Sequence, residues 1–163
     1  MAKHRNIKIL DMCATRFPKT RFRFATSNPQ DMSLDVIHTM AKHRNIKILD
    51  CTIRDGGFEN NFNFTLHEVK KTLKTSNEIG YDYFEMGYLT DLKILTETDG
   101  LWRNVPFKLI SHIKSEVNPK CKISAMIDCW RYNIDDLLPK DQTDIDLIRV
   151  CSYEEQIDMA LNM

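Results

Sequence analysis

The stretch on which the fold assignment depends is Ile46-Lys-Ile-Leu-Asp-Cys-Thr-Ile-Arg-Asp-Gly-Gly57. Residues 46–53 are rich in apolar and β-branched side chains and predict a buried strand. The Arg54-Asp-Gly-Gly57 that follows predicts a turn, with an arginine and an aspartate side by side where the strand ends. Such a pair either contributes to a ligand-binding site or simply opens a glycine turn, and both interpretations are open at this point.

Three further strands are expected along the chain, at residues 81–87, 122–128 and 145–151. Helical patterns follow the first, second and fourth of the predicted strands, and this alternation is typical of parallel βα units. The four predicted strands recur at the spacing of a (β/α)8 barrel, which needs roughly 250 residues for all eight units. The predicted fold class is therefore α/β, as the first four βα units of a TIM barrel.

The helices between these strands are marked by their ends. Thr65-Leu-His-Glu68 is a capping box that opens a helix ending at Gly80. Pro106 is expected as the first residue of the next helix, which Asn118-Pro119 ends. Ser152-Tyr-Glu-Glu155 is a second capping box, which predicts a helix from there to the C-terminus.

An exact repeat divides the chain, because residues 1–11 recur unchanged as residues 40–50. Only one copy can hold the same place in a packed fold. We therefore expect residues 40–163 to form the domain and residues 1–39 to be a duplicated, poorly ordered leader. The leader is basic and acid-poor, so an organelle presequence is an alternative. Its basic and aromatic run at 16–24 is a weaker candidate for contact with RNA or lipid.

Composition excludes several classes of partner. The chain has 163 residues with 23 basic and 23 acidic side chains, so its formal net charge is zero and neither nucleic acid nor a membrane is expected as a partner. No apolar run approaches the roughly 18 residues of a membrane span. Five cysteines without a C-x-x-C motif argue against a zinc knuckle or a secreted disulfide framework, which predicts a cytoplasmic protein.

The Arg54–Asp55 pair has the chemistry of an enolate-forming site. A carboxylate at the C-terminal end of a barrel strand can bind a hard divalent cation, and a neighbouring guanidinium can stabilise an enolate oxygen. Gly56 and Gly57 would let the backbone pass close to a ligand.

The pattern Asp50-x-Thr-x-Arg-Asp-Gly56 resembles the first-strand signature of the DRE-TIM metallolyases, the HMG-CoA lyase-like or pyruvate carboxyltransferase superfamily. Gly56-Gly-Phe58 and the Asn60-Asn61 pair are closer to its 4-hydroxy-2-oxovalerate aldolase-like branch. The resemblance covers residues 44–163, which correspond to the first half of the family's barrel. It implies an aldolase-type carbon–carbon lyase that acts on a small keto acid through a pyruvate enolate.

The resemblance also implies roles for individual residues. Asp55 would be a ligand of Mn²⁺ or Mg²⁺, and Arg54 would bind and polarise the keto acid or enolate. Glu85, on the second strand, would orient Arg54. Asp128 and Arg149 resemble family strand ends and are candidates for substrate binding.

The sequence departs from the family at the metal site. Family members complete it with a His-x-His pair, whereas no two of the five histidines here are separated by one residue. We therefore expect weak metal binding by this chain alone, and self-association or a second chain that completes the barrel. The alternatives to an active lyase are a non-catalytic fragment or remnant and one subunit of a split barrel. His67 and His112 are expected to be surface or helix-packing residues.

Overall fold

The computed structural model describes residues 47–163. Four strands are present in this range: β1 Leu49–Asp50, β2 Tyr83–Tyr88, β3 Lys122–Asp128 and β4 Leu147–Cys151. The helices are α1 Thr52–Gly56, α2 Leu66–Ile79, α3 Phe107–Val117 and α4 Ile157–Leu161, with short 3₁₀ turns at Gly57–Glu59, Leu101–Arg103, Ile134–Asp136, Lys140–Gln142 and Glu154–Gln156. The predicted leader, the first copy of the repeat, the domain boundary at residue 40 and the basic run at 16–24 lie outside the described residues.

The strands form one parallel sheet in the order β1-β2-β3-β4. Helices connect the successive strands β1 to β2 and β2 to β3, as expected for right-handed βα units. The predicted α/β class with a four-stranded parallel sheet is confirmed. Because strand order follows chain order, β1 and β4 are the outer strands of the sheet that the described residues build.

The two faces of the sheet differ in chemistry. Side chains alternate along a strand, so Phe84 and Ile123 lie on the face opposite to Glu85 and Ser124. The apolar side chains join residues of α2 and α3 in one hydrophobic core, among them Val69, Leu73, Ile110 and Ile113. The other face carries buried polar and charged groups, and it is there that the candidate site lies.

The first strand is much shorter than predicted. We expected a strand over residues 46–53, whereas β1 spans Leu49–Asp50 and α1 begins at Thr52. The cause is local: Asp50 Oδ1 accepts hydrogen bonds from the Thr52 backbone N–H at 2.8 Å and from Thr52 Oγ1 at 2.6 Å. An aspartate that bonds the backbone two residues on turns the chain. Arg54 and Asp55 therefore lie in a helical turn and not in a glycine turn.

The helix ends agree with the prediction in part. The capping box of Thr65 and Glu68 is present, and Gly80 ends α2 in the left-handed conformation with φ 89°. Pro106 precedes α3 as its N-cap instead of being its first residue. The last helix begins later than predicted, because a 3₁₀ turn comes first and the Tyr153 backbone N–H donates to Gln156 Oε1 at 3.2 Å. Between residues 47 and 163, no helix combines the length and the apolarity needed to cross a bilayer.

Candidate functional site

A buried carboxylate joins two arginines on the polar face of the sheet. Arg54 Nε donates a hydrogen bond to Glu85 Oε2 over 2.7 Å. Arg149 donates to both carboxylate oxygens, with Nε 2.7 Å from Oε1 and Nη2 2.6 Å from Oε2. The side chain of Glu85 is 0% exposed, and both arginine side chains are almost wholly covered. In this guanidinium–carboxylate network (Arg54, Glu85 and Arg149), two positive charges share one negative charge away from solvent.

The network is assembled from three elements. Arg54 comes from α1 directly after β1, Glu85 from the middle of β2, and Arg149 from the middle of β4. On the intervening strand β3, Ser124 lies opposite Glu85 in the register, and its Oγ is 3.4 Å from Glu85 Oε1. The network thus contains three of the five residues singled out in the sequence, and a fourth, Asp55, contacts it through Arg54. Arg149, which had only a resemblance to family strand ends, contacts Glu85 as closely as Arg54 does.

The network keeps its charges at neutral pH. Burial alone would raise the pKa of Glu85, but hydrogen bonds and charges from Arg149 and Arg54 outweigh it and lower that pKa. Burial likewise opposes the charge of each arginine, yet contact with Glu85 raises the pKa of both guanidinium groups. Nearby, Cys51 Sγ lies 3.8 Å from Arg149 Nη2, and burial raises the pKa of this thiol to about 12. Among these three buried side chains one positive charge is in excess, and the exposed Asp55 carboxylate, which pairs with Arg54 Nη1, offsets it from the solvent side.

Asp55 lies at the outer end of the network. Its Oδ1 accepts a hydrogen bond from Arg54 Nη1, while its side chain is 62% exposed. Across residues 47–163, no three His, Cys, Asp or Glu side chains gather closely enough to hold a metal ion. Mn²⁺ and Mg²⁺ prefer several oxygen ligands. The described residues alone therefore do not fit the divalent metal predicted at Asp55.

Asp128 lies at the C-terminal end of β3, beside the network. It is buried, and burial raises the pKa of its carboxyl group, although the positive charges of Arg103, Arg131 and Arg54 oppose the shift. Its Oδ2 lies 3.9 Å from Arg131 Nη1. A buried carboxyl group of this kind can exchange a proton closer to neutrality than an ordinary aspartate.

The two glycines after Asp55 serve packing. A Cβ on Gly57 would lie 2.1 Å from Phe62 Cδ1, and one on Gly56 would lie 3.2 Å from Phe64 Cζ. The space next to these glycines is therefore filled by the protein's own aromatic rings. Periodicity in the sequence could not show this packing role, because it does not reveal that the chain folds back at Phe62.

Sequence reasoning missed Arg103, a buried arginine in the 3₁₀ turn Leu101–Arg103. Its Cζ lies 4.7 Å from the ring centroid of Tyr88, 4.9 Å from that of Phe62 and 5.8 Å from that of Phe58. No motif or periodicity marks Arg103, because the rings that surround it come from two other segments of the chain. The sequence marks this segment only by Gly100, three residues earlier. In the structure the Gly100 backbone N–H donates to the Asn61 carbonyl at 2.7 Å.

The two histidines in the described range, His67 and His112, lie on exposed helix surfaces and make no contact with the network. The side chain of His112 is half exposed, and its Nε2 lies 3.3 Å from Glu116 Oε1 on the same helix. His67 is exposed in the first turn of α2. The prediction that both are surface residues is confirmed. His4, His38 and His43 lie outside the described residues.

A solved structure resembles this chain closely enough to characterise its fold. The crystal structure of the N-terminal domain of a "putative aldolase" from Bacteroides vulgatus superposes with a TM-score of 0.62 and 29% sequence identity. The chain has an aldolase-like fold. The superposition covers 72% of this chain and 39% of the Bacteroides vulgatus chain. The predicted aldolase-type domain is confirmed at this level.

Sequence comparisons add little to this aldolase-like assignment. No family model matches the chain. Two curated proteins match over 33 residues, namely the tRNA-2-methylthio-N(6)-dimethylallyladenosine synthases of Flavobacterium johnsoniae and Flavobacterium psychrophilum, at 56% and 59% identity. These matches span 20% of this chain and 7% of each synthase. Neither is extensive enough to place the chain in that family.

Proposed function

We propose that this aldolase-like domain catalyses carbon–carbon bond cleavage or formation through a pyruvate enolate, with a small 2-oxo acid as substrate. The observation that carries the proposal is the guanidinium–carboxylate network, in which Glu85 fixes two buried arginines in place. A preorganised cation in a site shielded from water stabilises a developing oxyanion more strongly than a solvated one does. An enolate oxygen next to a carboxylate is such an anion.

Cleavage of a 4-hydroxy-2-oxo acid would proceed in two steps. The hydroxyl proton leaves, the bond between C3 and C4 breaks to release an aldehyde, and its electron pair passes into the enolate of pyruvate. The enolate then takes up a proton at C3. Arg54 would stabilise the charge on the C2 oxygen, Glu85 would hold Arg54 in place, and Arg149 would bind the substrate carboxylate. Asp128 is suited to accept the hydroxyl proton, because burial raises its pKa.

The same proposal includes membership of the DRE-TIM metallolyase superfamily, in its 4-hydroxy-2-oxovalerate aldolase-like branch, with a TIM-barrel fold. It is supported by the Asp50-x-Thr-x-Arg-Asp-Gly56 pattern, the parallel sheet and the aldolase-like structural neighbour. Because the described residues do not complete a metal site, Mn²⁺ or Mg²⁺ at Asp55 would need further ligands from the substrate or another chain. In the sheet that the described residues build, β1 and β4 are the edges at which a second chain, the partner expected from the sequence, would pair.

Hydrogen exchange into pyruvate tests the proposal without knowledge of the aldehyde. The full chain is incubated with pyruvate in D₂O, with and without Mg²⁺ or Mn²⁺, and deuterium in the methyl group is followed by mass spectrometry. We expect enzyme-dependent exchange that Arg54→Gln abolishes. Lys108→Gln, which removes an exposed positive charge on α3, should leave the rate unchanged.

The metal requirement is a separate arm of the experiment. If Asp55 binds a divalent ion, the added metal should accelerate exchange, and Asp55→Ala should remove that acceleration. Exchange at the rate of the buffer alone, in the native chain with either metal, would contradict the enolate mechanism for this chain. The non-catalytic alternatives would then stand.

A further inference from the structure

Arg103 is a buried cation with no carboxylate of the described residues in direct contact, although its charge acts on the more distant Asp99 and Asp128 carboxylates. The residue is only 9% exposed, and its Nη1 atom has no hydrogen-bond partner and no contact with solvent. Among the ion pairs between described residues, Arg54 and Arg149 both pair with Glu85, whereas no carboxylate lies within 4.0 Å of Arg103. Burying an unpaired charge is costly, so an arginine in this state is suited to an anion that arrives from outside.

The aromatic rings around Arg103 fix its orientation. The guanidinium carbon lies within 5 Å of the ring centroids of Tyr88 and Phe62, a distance at which cation–π attraction acts. Stacking engages the face of a guanidinium group, while its N–H bonds lie in the plane and remain able to bind a planar oxyanion such as a carboxylate. Because the Phe62 and Tyr88 rings lie 85° apart, the guanidinium group can stack face-on against only one of them, and it contacts the other through cation–π attraction at its edge.

The backbone that carries Arg103 is equally well held. The Arg103 N–H donates to the Gly100 carbonyl at 3.0 Å, and the Val105 N–H donates to the Tyr88 carbonyl at 2.9 Å. One residue before Arg103, the Trp102 indole N–H donates to the Phe64 carbonyl at 2.8 Å. This segment is therefore anchored on both the end of β2 and the loop after α1, so Arg103 is preorganised before any ligand binds.

Arg103 lies close to the proposed catalytic groups. Tyr88 ends strand β2, which carries Glu85, and its ring is the nearest of the three to the Arg103 guanidinium carbon. The positive charges of Arg54 and Arg103 both act on the pKa of the Tyr88 hydroxyl and on that of the Asp128 carboxyl. Both charges therefore influence the same two side chains, which lie at the C-terminal ends of the neighbouring strands β2 and β3.

We propose that Arg103 binds a second carboxylate of the substrate, so that the site selects dicarboxylic 2-oxo acids over pyruvate-like monocarboxylic ones. This inference rests on the proposed function, in which the network binds the 2-oxo acid end of the molecule. The network would hold the reacting half, and Arg103 would recognise the distal charge. Arg103 is thus assigned as a specificity-determining residue.

Binding of a graded set of acids to the full chain tests this proposal by calorimetry. Pyruvate has one carboxylate, 2-oxoglutarate adds a distal carboxylate, and the 5-methyl ester of 2-oxoglutarate masks that distal charge. We expect 2-oxoglutarate to bind about tenfold or more tightly than pyruvate or the ester, as charge-assisted hydrogen bonds contribute. Arg103→Gln should remove this preference, whereas Arg103→Lys should keep part of it.

The ester comparison uses only the native chain, so the test holds even if Arg103→Gln does not fold. Equal affinity for 2-oxoglutarate and its ester would overturn the inference, as would a preference that survives Arg103→Gln. If pyruvate binds in an Arg54-dependent manner in either case, the proposed function stands.

Binding of glutarate distinguishes the proposed 2-oxo acid function from the proposed anion site at Arg103. Glutarate, which lacks the oxo group, should bind in an Arg103-dependent manner. If glutarate binds as tightly as 2-oxoglutarate and Arg54→Gln changes neither affinity, the 2-oxo acid function fails while the Arg103 anion site stands. Binding of none of these acids would overturn both.

Discussion

Glu85 Oε2 accepts a hydrogen bond from Arg54 Nε over 2.7 Å, although 31 residues separate Glu85 from Arg54 in the chain. The contact exists because β1 and β2 are adjacent parallel strands, with Asp50 opposite Phe84. It links the start of the domain to the middle of the sheet, and Arg149 of β4 completes the link from the other side. Stability and the proposed chemistry therefore depend on the same carboxylate.

Replacing this carboxylate should destabilise the fold. In Glu85→Gln, two buried guanidinium groups would face a neutral amide, and breaking a buried ion pair typically costs about 3–5 kcal/mol. Urea unfolding of the full chain measures the loss. Glu59→Gln, the same change at an exposed position, should stay within about 0.5 kcal/mol of the native value.

The effect of Glu85→Gln should depend on pH. The two arginines lower the pKa of Glu85 in the folded state, so the charged carboxylate stabilises the fold above the ordinary glutamate pKa of about 4.3. This contribution is lost as the pH falls toward the lowered value. The stability difference between the native chain and Glu85→Gln should therefore narrow below about pH 4. A difference that is constant from pH 7 to pH 3 would contradict the lowered pKa.

The contribution of Asp128 to stability should depend on pH in the opposite direction to that of Glu85. Burial raises the pKa of its carboxyl group, so the folded state binds a proton more tightly than the unfolded state does. Stability attributable to Asp128 is therefore greatest at low pH, falls as the pH rises from the ordinary aspartate pKa of about 3.9 through the raised value, and is constant above it. Asp128→Asn should be more stable than the native chain at pH 8 and lose that advantage at pH 3. Asp135→Asn, at an exposed position, serves as the control in urea unfolding.

Replacement of Arg54 by lysine should impair the proposed catalysis. An ammonium group keeps the charge but cannot reproduce contacts to Glu85 and Asp55 from one planar group. We expect Arg54→Lys to slow pyruvate deuterium exchange by about 10²–10³-fold, as loss of a preorganised oxyanion donor does in other enzymes. An exchange rate within threefold of the native rate would show that charge alone suffices. Circular dichroism would establish that the variant is folded.

Gly87 should control the position of Arg103. A Cβ on Gly87 would lie 2.4 Å from the Trp102 carbonyl oxygen and 2.8 Å from Val105 Cγ2, so the segment carrying Arg103 would have to move. Gly87→Ala should cost about 1–3 kcal/mol in urea unfolding and weaken the preference for 2-oxoglutarate over its ester. Gly56→Ala, which meets only Phe64 Cζ at 3.2 Å, should cost less. Equal costs in the two variants would show that the contact at Trp102 is not restrictive.

The capping box of α2 offers a prediction independent of function. Thr65 Oγ1 accepts a hydrogen bond from the Glu68 N–H at 3.2 Å, and Glu68 Oε2 accepts one from the Thr65 N–H at 2.7 Å. Thr65→Ala should lower the free energy of unfolding by about 1 kcal/mol. Thr75→Ala, the same substitution at an exposed position within α2, should be neutral or slightly stabilising because alanine favours helices. A loss of similar size in both would argue against the cap.

Several features of the fold followed from local patterns. The start of α2 was predicted correctly because Thr65 and Glu68 are three residues apart, and its end because Gly80 accepts a left-handed backbone. The start of α1 was not predicted. The Asp50 side chain accepts a hydrogen bond from the Thr52 N–H and ends the strand early, although the apolar residues around it favour a longer strand. One side chain outweighed strand propensity there.

In the candidate site, too, some residues could be predicted from the sequence and others could not. Arg54 and Asp55 could be selected beforehand because they follow the predicted first strand directly, and Glu85 because the resemblance to a known family implies a glutamate on the second strand. Arg103 could not, since its environment is made of rings from Phe58, Phe62 and Tyr88, which come from two other segments.

Short-range chemistry was thus enough to specify the α/β class, the succession of βα units and the charged residues that follow the first strand. The sharing of Glu85 between Arg54 and Arg149, and the unpaired state of Arg103, depended on how the chain packs. The physical reason is that helix caps and hydrophobic periodicity act over a few residues, whereas the cost of burying a charge is set by groups distant in sequence.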